Sequence, residues 1–210
     1  MAKQIPLGHG GYYHIFNRGN NRENIFIEER NYAYFLTLYA KYITPIADTY
    51  AYCLLRNHFH LLVRILTEDE LIARSNPKGL GDPSGLSPQL LDPSQQFGAF
   101  FDAYAKAINK AYNRTGSLFQ HPFGRIRVAS DEYFAQLIRY IHFNPQKHGF
   151  VEDFREYPYS SYNAMLSNKP TRLARTQVIE WFGGKPAFIA AHESLVDEAK
   201  IRALIEEDAD

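Results

Sequence analysis

The residues with the most chemical promise form one short stretch, Arg56-Asn57-His58-Phe59-His60-Leu61-Leu62-Val63-Arg64-Ile65. Read with the two-residue period of a strand, Phe59, Leu61, Val63 and Ile65 fall on one side, and His58, His60, Leu62 and Arg64 on the other. The first side is wholly apolar and has to be buried. The second carries two imidazoles about 7 Å apart along the backbone, close enough to converge on one ion or one phosphate. Such a pair is either the start of a ligand set or two satisfied polar residues on a sheet face. A ligand set needs a third member from another element. The chain has no His-Glu-x-x-His, no P-loop and no Gly-x-Ser-x-Gly, and its single cysteine cannot build a thiolate zinc site.

Two further groups could do chemistry. Ser130-Asp131-Glu132 opens a helix with a capping residue and acids in its first turn. On that helix Tyr140 and Asn144 are four apart and share a face. Taken alone, Tyr140 reads as a core aromatic, and Tyr133 is the rival hydroxyl two turns upstream. The other group is basic. Asn17-Arg18-Gly19-Asn20-Asn21-Arg22 is a polar loop at a strand end, and residues 106–127 hold five basic residues, no acid, and interleaved Tyr112, Phe119 and Phe123. Arg18, Arg22, Arg114, Arg125 and Arg127 are therefore candidates for phosphate contact, which positions a nucleic acid without reading it. A solvated helix face and loop is the alternative. His14, His121 and His142 read as surface, turn or structural residues.

These groups need elements to hold them. Residues 50–55 form a strand, joined to the histidine strand by a tight Arg56-Asn57 turn. Residues 12–16 are a short strand by aromatic and branched content. Residues 28–43 and 96–113 carry apolar side chains at spacings of three and four, as amphipathic helices do. Between them residues 67–95, rich in Pro, Gly, Asp and Ser, read as a flexible insertion with one helical turn near 68–73. The helix from Ser130 ends near Asn144-Pro145. A turn follows over 157–162, then short helices over 177–182 and 186–206. The order predicts an α+β fold, a ferredoxin-like βαββαβ sandwich with one extra helix. Its first two helices cover one face of the sheet, and the histidine face turns towards the helix from Ser130. Residues 1–165 form this domain and 166–210 a C-terminal helical extension.

Composition excludes several function classes. Lys and Arg balance Asp and Glu, so no global field advertises a polyanion partner. One cysteine, Cys53, permits no disulfide within the chain, which suits a reducing cytoplasm. The first residues lack the apolar core of a signal peptide, and no apolar run is long enough to predict a membrane span.

His58-Phe59-His60, preceded by Ala51-Tyr52-Cys53-Leu54-Leu55-Arg56-Asn57, resembles the HUH motif of single-tyrosine transposases. More specifically, the chain is similar to the REP-associated tyrosine transposases. Three other stretches agree in order: Tyr13-His14-Ile15-Phe16-Asn17-Arg18-Gly19-Asn20, Asn113-Arg114-Thr115-Gly116-Ser117-Leu118-Phe119-Gln120 and Arg139-Tyr140-Ile141-His142-Phe143-Asn144-Pro145. The resemblance covers residues 10–165. It implies that His58 and His60 bind a divalent ion, Mg2+ or Mn2+, and that Tyr140 is the catalytic nucleophile on its helix. It places Asn144 where related insertion-sequence enzymes carry a glutamine ligand, with a side chain one methylene shorter. The activity implied is cleavage and rejoining of hairpin-flanked single-stranded DNA through a 5′-phosphotyrosine bond. A monomer is expected, with a homodimer as the alternative. Two other readings stay open: a protein that grips a DNA hairpin without cutting it, and an RNA-binding module of the same βαββαβ order. For the latter, His58 and His60 stand where stacking aromatics would be expected.

Overall fold

A computed structural model describes residues 5–75 and 92–194. Four strands, β1 (Tyr12–Arg18), β2 (Ala47–Leu55), β3 (His58–Ile65) and β4 (Gly124–Val128), form one antiparallel sheet in the order β2-β3-β1-β4. Helices α1 (Glu29–Tyr42) and α3 (Pro93–Ala111) lie on one face, and α4 (Asp131–Lys147) packs on the other against β2 and β3. This is the α+β sandwich expected, with the histidine face turned to α4.

The two faces follow from side-chain alternation. Phe59, Leu61, Val63 and Ile65 are buried under α1 and α3 among Phe35, Phe97, Phe100, Phe101 and Tyr104. Each contributes on the order of 1.5–3 kcal/mol by leaving water. On the opposite face, Leu62 joins Cys53, Leu55, Leu137, Ile138, Tyr140 and Ile141. A register shift in β2 between Thr49 and Ala51 lets the neighbours Tyr50 and Ala51 both reach this second cluster. The β2–β3 connection is the two-residue turn Arg56-Asn57, since Leu55 pairs directly with His58.

Several boundaries differ from the sequence expectation. The predicted insertion begins with a helix, α2 (Glu68–Ser75), of two full turns. Arg64 on β3 holds it in place by bonding both Glu70 and Asp48. Its far end belongs to α3, which starts at Pro93 because Asp92 caps Gln95 N–H and proline suits the first helical position. Residues 76–91 of that insertion, and residues 195–206 of the predicted last helix, lie outside the described residues. Helix α4 does not end at Asn144-Pro145 but runs to Lys147, closed by His148 N–H donating to the Asn144 carbonyl.

After α4 come α5 (Tyr162–Leu166), α6 (Arg175–Trp181) and α7 (Lys185–Glu193). Tyr162, Val178 and Phe188 from these helices share the cluster under α4. Ala174 N–H also bonds the Thr49 carbonyl at the β2 edge. Among the described residues no helix is long and apolar enough to cross a membrane.

Candidate functional site

His58 and His60 begin β3, directly after the tight turn, so their backbone is held by β2 on one side and β1 on the other. Both are buried, and their rings meet edge to face with centroids 5.2 Å apart. Each ring has its Nδ1 engaged. His58 Nδ1 lies 2.7 Å from Asn57 Oδ1, and His60 Nδ1 lies 3.0 Å from His14 Nε2. Because an amide oxygen only accepts, His58 Nδ1 carries a hydrogen, and in the neutral ring the lone pair is then on Nε2. Burial pushes the His60 imidazole well below its ordinary range, with smaller pushes from His14, His148, Lys147 and Arg18. His60 is therefore neutral near pH 7, as a metal-ligating imidazole must be.

Helix α4 brings the second candidate group. The Tyr140 ring stands edge-on to His60 with centroids 5.8 Å apart, and Lys147 Nζ lies 4.9 Å from the centre of the Tyr140 ring. Tyr140 is completely buried. Asn144, one turn further along, is also fully buried. Its Nδ2 donates to the Tyr140 carbonyl, whereas its Oδ1 accepts no hydrogen bond. A buried carbonyl oxygen with no donor costs about 1–3 kcal/mol, and it is the kind of atom a bound cation would satisfy. Tyr133, the rival hydroxyl, sits at the exposed first turn of α4.

The side chains present fit a divalent ion in chemical type. Imidazole nitrogens and an amide oxygen are donors that Mn2+ accepts more readily than Mg2+, which prefers oxygen. Among the described residues no three His, Cys, Asp or Glu side chains are grouped to hold a metal. Beside the histidines is a pocket of about 50 Å³, lined by Arg18, His58, His60 and Gln120. That is room for an ion and a few waters but not for a nucleotide.

The five arginines are not brought together. Arg18 pairs across the sheet with His58 and lines the pocket. Arg22 is exposed in the loop after β1. Arg114 is tied to Glu23 and to Asn109 Oδ1. Arg125 and Arg127 are cross-strand partners of Ile15 and Tyr13, whose side chains belong to the α1–α3 core. They therefore project from the sheet face opposite the histidines. Arg125 bonds Ser94 Oγ and lies 4.0 Å over the Phe123 ring.

Two residues of the site are missed by reading the sequence alone. His14 is fully buried against His60 rather than on the surface. Strand alternation puts it on the histidine face, but only in the register that β1 and β3 adopt. His148 packs edge-on to His58 at 4.9 Å. Its spacing of four from Asn144 and eight from Tyr140 is visible in the sequence as one helical face. Phe16 stacks on His14 at 4.8 Å, and Gly124 opposite makes room for it, since a Cβ there would lie 2.2 Å from the Phe16 ring.

No family model matches the chain. A Haemophilus influenzae protein named for the REP-associated tyrosine transposases is 28% identical over 116 residues, 55% of this chain and 59% of that relative. A solved structure of a REP-associated tyrosine transposase, bound to a REP hairpin, superposes with a TM-score of 0.59 at 14% identity. It covers 81% of this chain and 88% of its own. The likeness read from residues 10–165, to the REP-associated tyrosine transposases, is thus borne out by a relative in sequence and by a solved structure in fold.

Proposed function

We propose that this chain is a metal-dependent enzyme that cleaves and rejoins single-stranded DNA beside a hairpin, with Tyr140 as nucleophile. The observation that carries the reading is the packing of the Tyr140 ring on His60, with the partnerless Asn144 oxygen one turn away. A strand and a helix far apart in sequence bring the Tyr140 phenol ring against the His60 imidazole, and Asn144 follows Tyr140 by one turn on that helix. The relatives' names point the same way, the solved one being bound to a REP hairpin.

Each residue then has a task. His58, His60 and Asn144 would hold a divalent ion, which supplies polarisation of the phosphate oxygens and offsets charge at the leaving oxygen. The Tyr140 oxygen attacks phosphorus in line, a bond from phosphorus to the phenolic oxygen forms, and the bond to the 3′ oxygen breaks. The phenol gives up its proton and the 3′ oxygen gains one, leaving a 5′-phosphotyrosine and a free 3′-OH. The ester is conserved, so another 3′-OH can reverse the step and join strands without ATP. Arg18, which lines the pocket, would meet the phosphate. Lys147 Nζ lies over the Tyr140 ring and would add positive charge beside the phenol as it loses its proton.

The complete burial of Tyr140 favours a second reading, a protein that holds the hairpin without cutting it. One gel separates them. The full chain is incubated with a single-stranded hairpin oligonucleotide and Mn2+, then denatured and resolved. A slower covalent band that requires Mn2+ and vanishes in Tyr140→Phe is expected. Tight hairpin binding with no covalent band would establish the second reading instead.

A further inference from the structure

His14 is a buried, hydrogen-bonding side chain that the scheme above does not use. Its ring lies edge to edge with the His60 ring, with centroids 5.2 Å apart and planes 25° apart, and packs beside Phe16. Its Nε2 faces His60 Nδ1 at 3.0 Å. The two histidines of the site thus have Nδ1 partners of different kinds. Asn57 Oδ1 can only accept, so the His58 tautomer is settled by its neighbour. An imidazole nitrogen can accept or donate, so the His14–His60 bond has two neutral forms. When His14 Nε2 accepts, His60 carries hydrogen on Nδ1 and a lone pair on Nε2. When His14 Nε2 donates, the hydrogen of His60 sits on Nε2, and that nitrogen cannot bind an ion.

Resting on the metal-dependent reading of the site, we propose that His14 is a positioning residue that holds His60 in its ligating tautomer and orientation. Ligand histidines generally need such a partner on the second nitrogen, and its loss weakens metal binding about 10–100-fold. Here the partner comes from β1, beside β3 in the sheet, and Phe16 packs against both His14 and His60. Glutamine can place an amide oxygen where His14 Nε2 stands and accept the same hydrogen. Phenylalanine keeps a ring in that place but offers no nitrogen.

The test uses the full chain, with Mn2+ alone as probe, its free fraction followed by electron paramagnetic resonance. His14→Phe is expected to bind Mn2+ about 10–100-fold more weakly than the unaltered protein, and His14→Gln within about threefold of it. Equal Mn2+ binding by His14→Phe would overturn the proposal. Nitrogen-15 NMR of the imidazoles in metal-free protein gives a reading independent of activity and of metal. The unaltered protein and His14→Gln should show His60 with hydrogen on Nδ1, and His14→Phe should lose that signature. A His60 tautomer indifferent to His14 overturns the proposal even in a variant that folds poorly. Failure of the unaltered protein to bind Mn2+ would defeat the metal-dependent reading, while the NMR comparison still decides the role of His14.

Discussion

Behind the Tyr140 face, α4 is pinned by a buried relay whose every hydrogen has one possible direction. The Phe188 carbonyl can only accept, so His192 Nδ1 donates to it at 2.8 Å. His192 Nε2 must then accept from His142 Nδ1 at 2.9 Å, and His142 Nε2 from Ser161 Oγ–H at 2.7 Å. Ser161 Oγ in turn accepts from Tyr52 N–H. A proton added to His192 Nε2 breaks this order and leaves a charge to be held away from water inside the packed core. Burial accordingly lowers His192 from an ordinary 6.5 to about 4, and pushes His142 well below its usual range. The sign follows directly. Below pH 6.5 the unfolded chain takes up a proton that the folded one refuses, so stability is complete above that pH and falls as pH drops towards 4. For His192 alone the loss is about 2.5 kcal/mol by about pH 4.5, at 1.36 kcal/mol per pH unit of displacement. Urea unfolding at about pH 7.5 and about pH 4.5 measures it, with fluorescence of Trp181, the chain's one tryptophan, as probe. That residue packs on Phe134 of α4. His192→Gln, which does not titrate, should lose about 2.5 kcal/mol less than the unaltered protein over this interval. An identical loss in both proteins would refute the assignment.

Two other outcomes follow from the packing. Gly124→Ala drives a Cβ into the Phe16 ring and, through it, into His14 and His60. A loss of about 1–3 kcal/mol in urea unfolding, together with weaker Mn2+ binding, is expected, and an unchanged melt would contradict the contact. Asn144→Leu removes a buried oxygen that has no donor. It should raise stability by about 1 kcal/mol while abolishing the covalent DNA band, whereas a clear loss of stability would mean that the oxygen is already satisfied.

Much of the architecture is legible in the residues because it follows from period and punctuation. The alternation of Phe59, Leu61, Val63 and Ile65 with His58, His60 and Leu62 is enough to assign the two faces of β3. The helical spacing of α1 and α3 comes from the same kind of pattern. Boundaries set by single interactions are not legible. The start of α3 depends on the Asp92 cap, and α2 depends on Arg64 reaching both Glu70 and Asp48 across the sheet edge. Proline at position 145 suggests an earlier end for α4, but the helix closes through the His148 N–H.

By itself, the sequence determined the local facts: which residues alternate on β3, which share a face of α4, and an ordered set of stretches resembling one transposase family. Tertiary structure alone decided what stands beside what. His14 meets His60 only because β1 pairs with β3 in one register, and a slip of a single residue would turn it to the other face. Arg125 and Arg127 leave the histidine face for the same reason, their partners on β1 being Ile15 and Tyr13. His142 finds His192 fifty residues away because α7 closes over α4. Periodicity is a property of neighbours along the chain, whereas register and helix docking arise from contacts whose partners no local pattern names.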